Sequence, residues 1–197
     1  MFEFMKVIGI TGSSGAGKST VCEMIQSLYD VCIINADQVA KDLSQKGSSY
    51  VEGIAHIFGK SILTSDGELN RKKLADFIYH DDQKRKMLNG YTFNHITKQI
   101  KKMMAETDKE IVVIDAPLLF EAELDKICDA SIAIISQKDL QIERICKRDG
   151  ITEEVAEKRI SIQEDNDFFK ARCDYVIENN DKIEDVKAQI EESKLFE

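Results

Sequence analysis

The sequence predicts an α/β fold in which helices flank a parallel β-sheet. Short apolar runs without polar alternation recur along the chain, as expected of strands that are covered on both faces. Segments with apolar residues at helical spacing separate these runs. A glycine-rich loop stands between the first run and the first such segment. The predicted strands are residues 7–10, 31–34, 110–115, 131–135 and 175–177.

Helical segments alternate with these strands. The first follows the glycine-rich loop directly, with Val21, Met24, Ile25 and Leu28 at helical spacing. No strand is apparent between residues 50 and 109, so this block is predicted to be a helical insertion. Thr152 is the expected N-cap of a later helix. The predicted helices span residues 20–28, 38–43, 51–58, 69–78, 87–103, 138–147, 151–163 and 183–195.

Length and composition indicate one globular α/β domain. The 197 residues are 43% hydrophobic and 32% charged, as in ordinary soluble proteins. The net charge of −9 argues against nucleic acid as the main partner. No apolar run approaches a membrane span, and the N-terminal segment does not resemble a signal peptide. The five cysteines contain no C-x-x-C pair, which indicates a cytoplasmic protein without a zinc site or a disulfide framework.

The glycine-rich loop predicts a phosphate site. Gly12-Ser13-Ser14-Gly15-Ala16-Gly17-Lys18-Ser19 fits the pattern G-x-x-x-x-G-K-[ST]. Glycines let the backbone approach a ligand closely, and the following helix adds unpaired N–H groups and a positive dipole end. A turn that binds nothing is the alternative, but a chance match is on the order of one in a hundred in a chain of this length. The residues expected to bind the phosphates of a nucleotide are Gly15, Ala16, Gly17, Lys18, Ser19 and Thr20.

Two acidic residues follow predicted strands, and we expect them at the same sheet edge as the loop. Ligands of parallel sheets lie at the carboxyl ends of the strands. Asp115 occupies the position where P-loop proteins hold Mg²⁺, together with the hydroxyl of Ser19, although it could instead cap the next loop. Asp37 could position or deprotonate an attacking hydroxyl, or it could be the N-cap of the helix that follows. The residues alone leave both alternatives for Asp37 open.

Basic residues recur at helical spacing after the fourth predicted strand. Arg144 and Arg148 are four residues apart, as are Arg159 and Gln163. Such cations can close over a triphosphate and stabilise its charge. The alternative is a solvated face with salt bridges to Glu143, Asp149 or Glu157. His95, on the long predicted helix, could be a ligand, but a lone histidine is more often a packed or surface residue.

The ordered set of motifs resembles the dephospho-CoA kinase family, whose members use ATP to phosphorylate the ribose 3′-hydroxyl of dephospho-CoA. The run after the third strand is the most specific match. The matching residues are Ile10-Thr11-Gly12 before the loop, Ala36-Asp37, Asp66-Gly67 with Leu69 and Arg71, His95, Pro117-Leu118-Leu119-Phe120-Glu121, Arg144 to Arg148-Asp149, Arg159-Ile160 with Gln163, and Asp174-Tyr175-Val176-Ile177 with Asn179.

The resemblance implies a P-loop kinase fold with a five-stranded parallel sheet, a helical insertion that holds the CoA moiety, and a helical lid. The core would comprise residues 1–47, 110–137 and 173–197, the insertion residues 48–109, and the lid residues 138–172. ATP and Mg²⁺ would be required, with no nucleic acid, membrane or obligate protein partner. Implied catalytic residues are Asp37, Lys18 and Arg148, with Arg144 at the nucleotide and Ser19 and Asp115 at the metal. Implied substrate-binding residues are Thr11, Asp37, Arg71, His95, Pro117, Leu118, Glu121, Arg159 and Gln163.

Three positions depart from the family pattern. The chain has Asn35-Ala36-Asp37 where Asp-Ala-Asp is common, Ile96 after His95 where proline is common, and Ser13-Ser14 in a loop that commonly reads Gly-Gly-Ile-Gly. Two other functions fit the residues. One is a P-loop kinase for a different small acceptor, such as a nucleoside monophosphate. The other is a switch that binds ATP without transferring phosphate.

Overall fold

The computed structural model describes residues 5–79, 81–180 and 182–197 and contains a five-stranded sheet. All its strands run parallel, in the order β2-β3-β1-β4-β5. The parallel sheet predicted from the apolar runs is therefore confirmed. The strands are β1 (Lys6–Thr11), β2 (Val31–Asn35), β3 (Ile111–Asp115), β4 (Ala130–Ile135) and β5 (Tyr175–Glu178).

Helices connect the strands, and most lie where apolar spacing predicts them. The α-helices of the described residues are α1 (Lys18–Leu28), α2 (Ala36–Leu43), α3 (Ser49–Phe58), α4 (Arg71–Tyr79), α5 (Asp82–Glu106), α6 (Lys138–Asp149), α7 (Glu153–Ser161), α8 (Asn166–Arg172) and α9 (Ile183–Ser193). Two 3-10 turns span Lys60–Ile62 and Leu124–Ile127. None of the helices in the described residues combines the length and apolar character that a membrane crossing needs.

One helix was not predicted from the sequence, whereas the N-cap position of another, Thr152 before α7, was predicted correctly. The short helix α8 has too few residues to show a periodic pattern, but Asp165 caps it by accepting a hydrogen bond of 2.8 Å from the Phe168 N–H. Thr152 does precede α7, yet its side chain makes no capping hydrogen bond. Glu153 and Glu154 lie in the first turn of α7, where the helix dipole favours negative charge.

The strand register aligns the carboxyl ends of β1, β2 and β3. Asp115 at the end of β3 is the partner of Ile10 in β1 and of Asn35 in β2. Ile8 and Ile10 are fully buried, because helices cover both faces of this central strand. The phosphate loop and Asp115 are thereby placed at one edge of the sheet, as predicted.

The chain divides into two compact units. One contains the sheet and comprises the chain up to Asn35 together with Thr107–Glu197. The other is Ala36–Glu106, with a core of its own that includes Tyr50, Ile54 and Ile62. The finer division into core, insertion and lid remains a prediction.

Candidate active site

The phosphate loop joins β1 to α1 and contains glycines at positions that no other residue fits. Gly12 and Gly17 have φ angles of 143° and 94°, a region that L side chains rarely adopt. A Cβ at Gly12 would lie 2.1 Å from the Ile134 carbonyl oxygen, and one at Gly17 would lie 2.1 Å from Asn179 Nδ2. Both glycines are required by space as well as by backbone angle.

Lys18, the first residue of α1, folds back over the loop. Its Nζ donates hydrogen bonds to the carbonyl oxygens of Gly12, at 2.7 Å, and Ser13, at 3.2 Å. The ammonium group therefore lies over the loop, at the N-terminal end of α1, where the helix dipole is positive. Loop N–H groups, the helix end and a lysine together form an anion site suited to the phosphates of a nucleotide.

A network of side chains braces the loop through its carbonyl groups. Arg144 Nη1 donates to the carbonyls of Gly15 (3.3 Å) and Ala16 (3.5 Å) and to Ser136 Oγ (3.1 Å). Its Nη2 donates to the carbonyl of Asn179 (3.0 Å), whose own Nδ2 donates to Ala16 O (2.9 Å). Sequence analysis missed Ser136 as a site residue and noted Asn179 only as part of a motif. These bonds hold the carbonyl groups of Gly15 and Ala16 and so fix this part of the loop.

The other residues that were predicted to belong to a lid behave differently from Arg144. Gln163 Oε1 accepts a hydrogen bond of 2.8 Å from the Ser14 N–H, so it contacts the loop. Arg148 instead forms a two-point ion pair with the neighbouring Asp149, at 2.7 and 2.9 Å, and Arg159 pairs with the same carboxylate. The hydrogen bond from Arg148, assisted by Arg159, holds the pKa of Asp149 well below its usual range. The alternative predicted for these arginines, a surface ion pair with Asp149, is present in the structure.

The chemistry at the sheet edge fits a magnesium ion. Asp115 is 5% exposed, and its Oδ2 accepts a hydrogen bond of 2.7 Å from Asn35 Nδ2. Ser19, the second residue of α1, has an exposed side chain. Carboxylate and hydroxyl oxygens are hard ligands of the type that Mg²⁺ takes in small number, completing its shell with water and substrate phosphates.

The segment after β3 is anchored on β1. Thr11 is buried at the end of β1, and its hydroxyl donates a hydrogen bond of 3.3 Å to the Pro117 carbonyl. Leu119 is fully buried, whereas Leu118 is 52% exposed and Glu121 is also exposed. The structure thus brings Thr11 and Pro117 together and leaves Leu118 and Glu121 accessible to a ligand.

Asp37 belongs to the helical unit and lies two residues beyond the end of β2. It is exposed in the first turn of α2, which begins at Ala36. Its predicted alternative as the N-cap residue is therefore wrong, because the helix already includes it. An acidic side chain in a first turn is favoured by the helix dipole.

His95 and Arg71 share an aromatic neighbour in the helical unit. The His95 ring lies 4.2 Å from the ring of Tyr91 and 5.6 Å from that of Tyr50, and its Nδ1 is 2.8 Å from the Tyr91 carbonyl oxygen. Burial raises the pKa of Tyr50 above its ordinary value. A hydrogen bond with Thr92 and the positive charge of Arg71 offset part of this increase. Sequence analysis missed Tyr50 and Tyr91, although the four-residue spacing of Tyr91 and His95 on α5 was a signal.

Comparison with known proteins agrees with this geometry. The family model described as dephospho-CoA kinase matches residues 6–185. A dephospho-CoA kinase of Fusobacterium nucleatum is 36% identical over 185 residues, covering 94% of this chain and 95% of the relative. The solved dephospho-CoA kinase of Campylobacter jejuni aligns with a TM-score of 0.64 at 27% identity, over 95% of this chain and 94% of that one.

A third protein shares the fold more closely. TT1252 from Thermus thermophilus aligns with a TM-score of 0.83 at 22% identity, over 97% of both chains. The family model matches nearly the whole chain, and the relatives are of similar length. The chain belongs to the dephospho-CoA kinase family.

Proposed function

We propose that this protein transfers the γ-phosphoryl group of ATP to the ribose 3′-hydroxyl of dephospho-CoA, giving coenzyme A and ADP in the last step of coenzyme A biosynthesis. The observation that carries the proposal is a complete phosphate loop, with Lys18 folded over its carbonyls, in a chain that matches the family along nearly its whole length.

In this proposal the loop binds the phosphates of ATP through the N–H groups of residues 15–20. Lys18 leaves the carbonyls of Gly12 and Ser13 and places its charge on the transferring phosphoryl group. That charge is worth most in the transition state, where negative charge spreads over the phosphoryl oxygens. Arg144 keeps the loop in shape at the nucleotide through its bonds to Gly15 and Ala16.

A magnesium ion would be held by Ser19 and Asp115, and it would neutralise charge on the β- and γ-phosphates. Asn35 orients the Asp115 carboxylate by donating to one of its oxygens. This bond holds the carboxylate in one orientation at the sheet edge where the phosphate loop begins.

Asp37 is proposed to hold the acceptor hydroxyl in line with the γ-phosphate and to accept its proton. Because the transition state of phosphoryl transfer is loose, positioning is expected to matter at least as much as basicity. The residues proposed to bind the acceptor are Arg71, His95, Thr11, Pro117, Leu118 and Glu121.

Arg148, Arg159 and Gln163 are proposed to act from the lid. Arg148 and Arg159 are exposed and paired with Asp149, so reaching a triphosphate requires each to exchange that carboxylate for phosphate oxygens. Gln163 would release the Ser14 N–H in the same step. Exchange of one anion for another keeps both guanidinium groups paired throughout.

We further infer a cytoplasmic enzyme that acts without an obligate protein partner. Both proposed substrates are small molecules, and the five cysteines are free thiols in the structure, as is usual in a reducing compartment.

An acceptor panel tests the proposal. Purified protein is incubated with ATP and Mg²⁺ and with dephospho-CoA, AMP, other nucleoside monophosphates or no acceptor, and ADP is measured. We expect ADP production that depends on dephospho-CoA, with coenzyme A confirmed by mass spectrometry. Faster turnover of AMP would indicate a nucleoside monophosphate kinase, and ATP binding without turnover would indicate a switch. Lys18→Ala, assayed in parallel, should lose most of the turnover and so excludes a contaminating kinase.

A further inference from the structure

Gln141 is a buried polar residue whose side chain reaches the phosphate loop. It lies on α6 and is 3% exposed. Its Nε2 donates one hydrogen bond to Ser13 Oγ, at 3.1 Å, and another to the Ser136 carbonyl, at 3.0 Å. Both hydrogens of the amide group are therefore used, and one of them fixes a loop residue. Sequence analysis singled out neither Gln141 nor Ser13 as a site residue.

The same helix contacts the loop at further points. A Cβ at Gly15 would lie 2.5 Å from the Gln141 carbonyl oxygen, so the backbones of the loop and of α6 are in close contact there. Arg144, three residues further along α6, donates to Gly15 and Ala16. Residues three apart lie on one helix face, and this face covers the loop from Ser13 to Ala16.

Ser13 is held from two sides. Its hydroxyl accepts from Gln141, while its carbonyl accepts from Lys18 Nζ at 3.2 Å. Ser13 itself is only 5% exposed. The contact with Gln141 uses the serine side chain and therefore takes up no backbone N–H group of the loop. Gln163, by contrast, occupies the N–H of Ser14 itself.

We propose that Gln141 is a positioning residue for nucleotide binding, which acts through Ser13 Oγ to hold the N-terminal half of the phosphate loop in its binding shape. Loss of the contact leaves the loop to adopt several conformations, and ordering it again opposes binding. The effect falls on the phosphates of the ligand, since Gln141 and Ser13 act only on the loop that binds them. The inference rests on the nucleotide-binding part of the proposed function and is independent of the acceptor.

A double-mutant cycle tests the inference. The variants are Ser13→Ala, Gln141→Met and the double variant, titrated calorimetrically with MgATP and with inorganic tripolyphosphate in the absence of acceptor. Methionine keeps the length of the side chain without its donors. An unmade hydrogen bond to a buried group lowers affinity by about tenfold, so we expect this loss in each single variant and for both ligands. The double variant should be no more than about twofold weaker than Gln141→Met, because all three lack the same contact.

Two further measurements separate positioning from general destabilisation. In steady-state assays the KM for ATP should rise while kcat at saturating ATP changes less than about threefold, as expected when uniform binding is lost. Ser13→Ala keeps the Gln141 bond to Ser136, so it tests the contact even if Gln141→Met folds poorly. Gln189→Ala removes a half-buried glutamine on α9 that bonds Glu178 on β5, and this variant should bind ATP normally.

Two results would overturn the inference. Wild-type affinity for ATP and tripolyphosphate in Ser13→Ala would show that the contact does not position the loop. Multiplying losses in the double variant would show that Gln141 acts by a route other than Ser13. Because the titrations contain no acceptor, they give the same answer whether or not dephospho-CoA proves to be the acceptor.

Discussion

The side-chain amide of Asn35 donates a hydrogen bond of 2.7 Å to Asp115 Oδ2 across the adjacent ends of β2 and β3. The carboxylate is 5% exposed, so a neutral donor beside it stabilises its charged form. The family pattern commonly places an aspartate at position 35, where it would set two carboxylates against each other. In this chain the amide removes that repulsion.

Asn35→Asp should make stability depend on Mg²⁺ and on pH. Replacing the donor with a second carboxylate loses a charge-assisted hydrogen bond, roughly 1.5–3 kcal/mol, and adds like-charge repulsion. At about 2–4 °C per kcal/mol for a chain of this size, Tm at pH 8 without Mg²⁺ should fall by several degrees. Mg²⁺ should restore part of the lost Tm. Lower pH should reduce the difference in Tm from wild type, because one carboxyl takes up a proton. Asn35→Ala, which adds no charge, should show no such recovery; equal Tm for Asn35→Asp and wild type at pH 8 without Mg²⁺ would contradict the argument.

Asp37→Asn should lower kcat at least about 100-fold, the lower end for loss of a general base. The amide keeps the shape of the side chain and removes its charge and basicity. ATP affinity should stay close to wild type, as measured by titration of the same protein without acceptor. A near-normal kcat would leave Asp37 with only its place in the first turn of α2. Loss of ATP binding would assign it to the metal site instead.

Arg148→Ala should reduce kcat strongly, by about 100-fold or more if the guanidinium stabilises the transferring phosphoryl group. The KM for dephospho-CoA should change little, since the residue is proposed to act on the phosphates of ATP. Steady-state kinetics in both substrates distinguish the two effects. Lys187→Ala, which removes a cation from another exposed ion pair, serves as the control. Collapse of acceptor affinity with an unchanged kcat would move Arg148 to the acceptor pocket.

Asp174→Asn should reduce stability above about pH 5, and this reduction should shrink as pH falls through the lowered pKa of the carboxyl. Hydrogen bonds from the hydroxyl and N–H of Ser131, at 2.7 and 2.8 Å, lower the pKa of Asp174. A carboxylate whose pKa is depressed by folding adds stability above its unfolded pKa of about 3.9 and loses it as pH falls through the folded value. Thermal melts of both proteins from pH 2.5 to 7 should therefore converge at the acid end. Glu192→Gln on the exposed face of α9 should not show this convergence, and a gap that persists at pH 2.5 would refute the linkage.

Local pattern was enough to predict the strands, most helices and the phosphate loop. Each of these depends on residues a few positions apart, such as the apolar run of β3 or the spacing of Val21 and Ile25 on α1. The resemblance to a kinase family also rests on motifs, and its match from residue 6 to residue 185 confirms it. Helix α8 was not predicted, because its seven residues are too few to show a periodic apolar pattern.

The partners of the site residues were beyond such reasoning. Arg144 and Arg148 lie four residues apart, carry the same charge and were predicted to bind the same ligand. In the structure, Arg144 donates to the loop and Arg148 pairs with Asp149. Asn179 donates to Ala16 across 163 positions of sequence, and Gln141 reaches Ser13 across 128. The sequence by itself determined the sheet, the loop and the chemistry the loop performs. Only the tertiary structure decided which side chains hold that loop, because such contacts arise where α6 and Asn179, just past β5, pack against the loop that follows β1, and no local period encodes that packing.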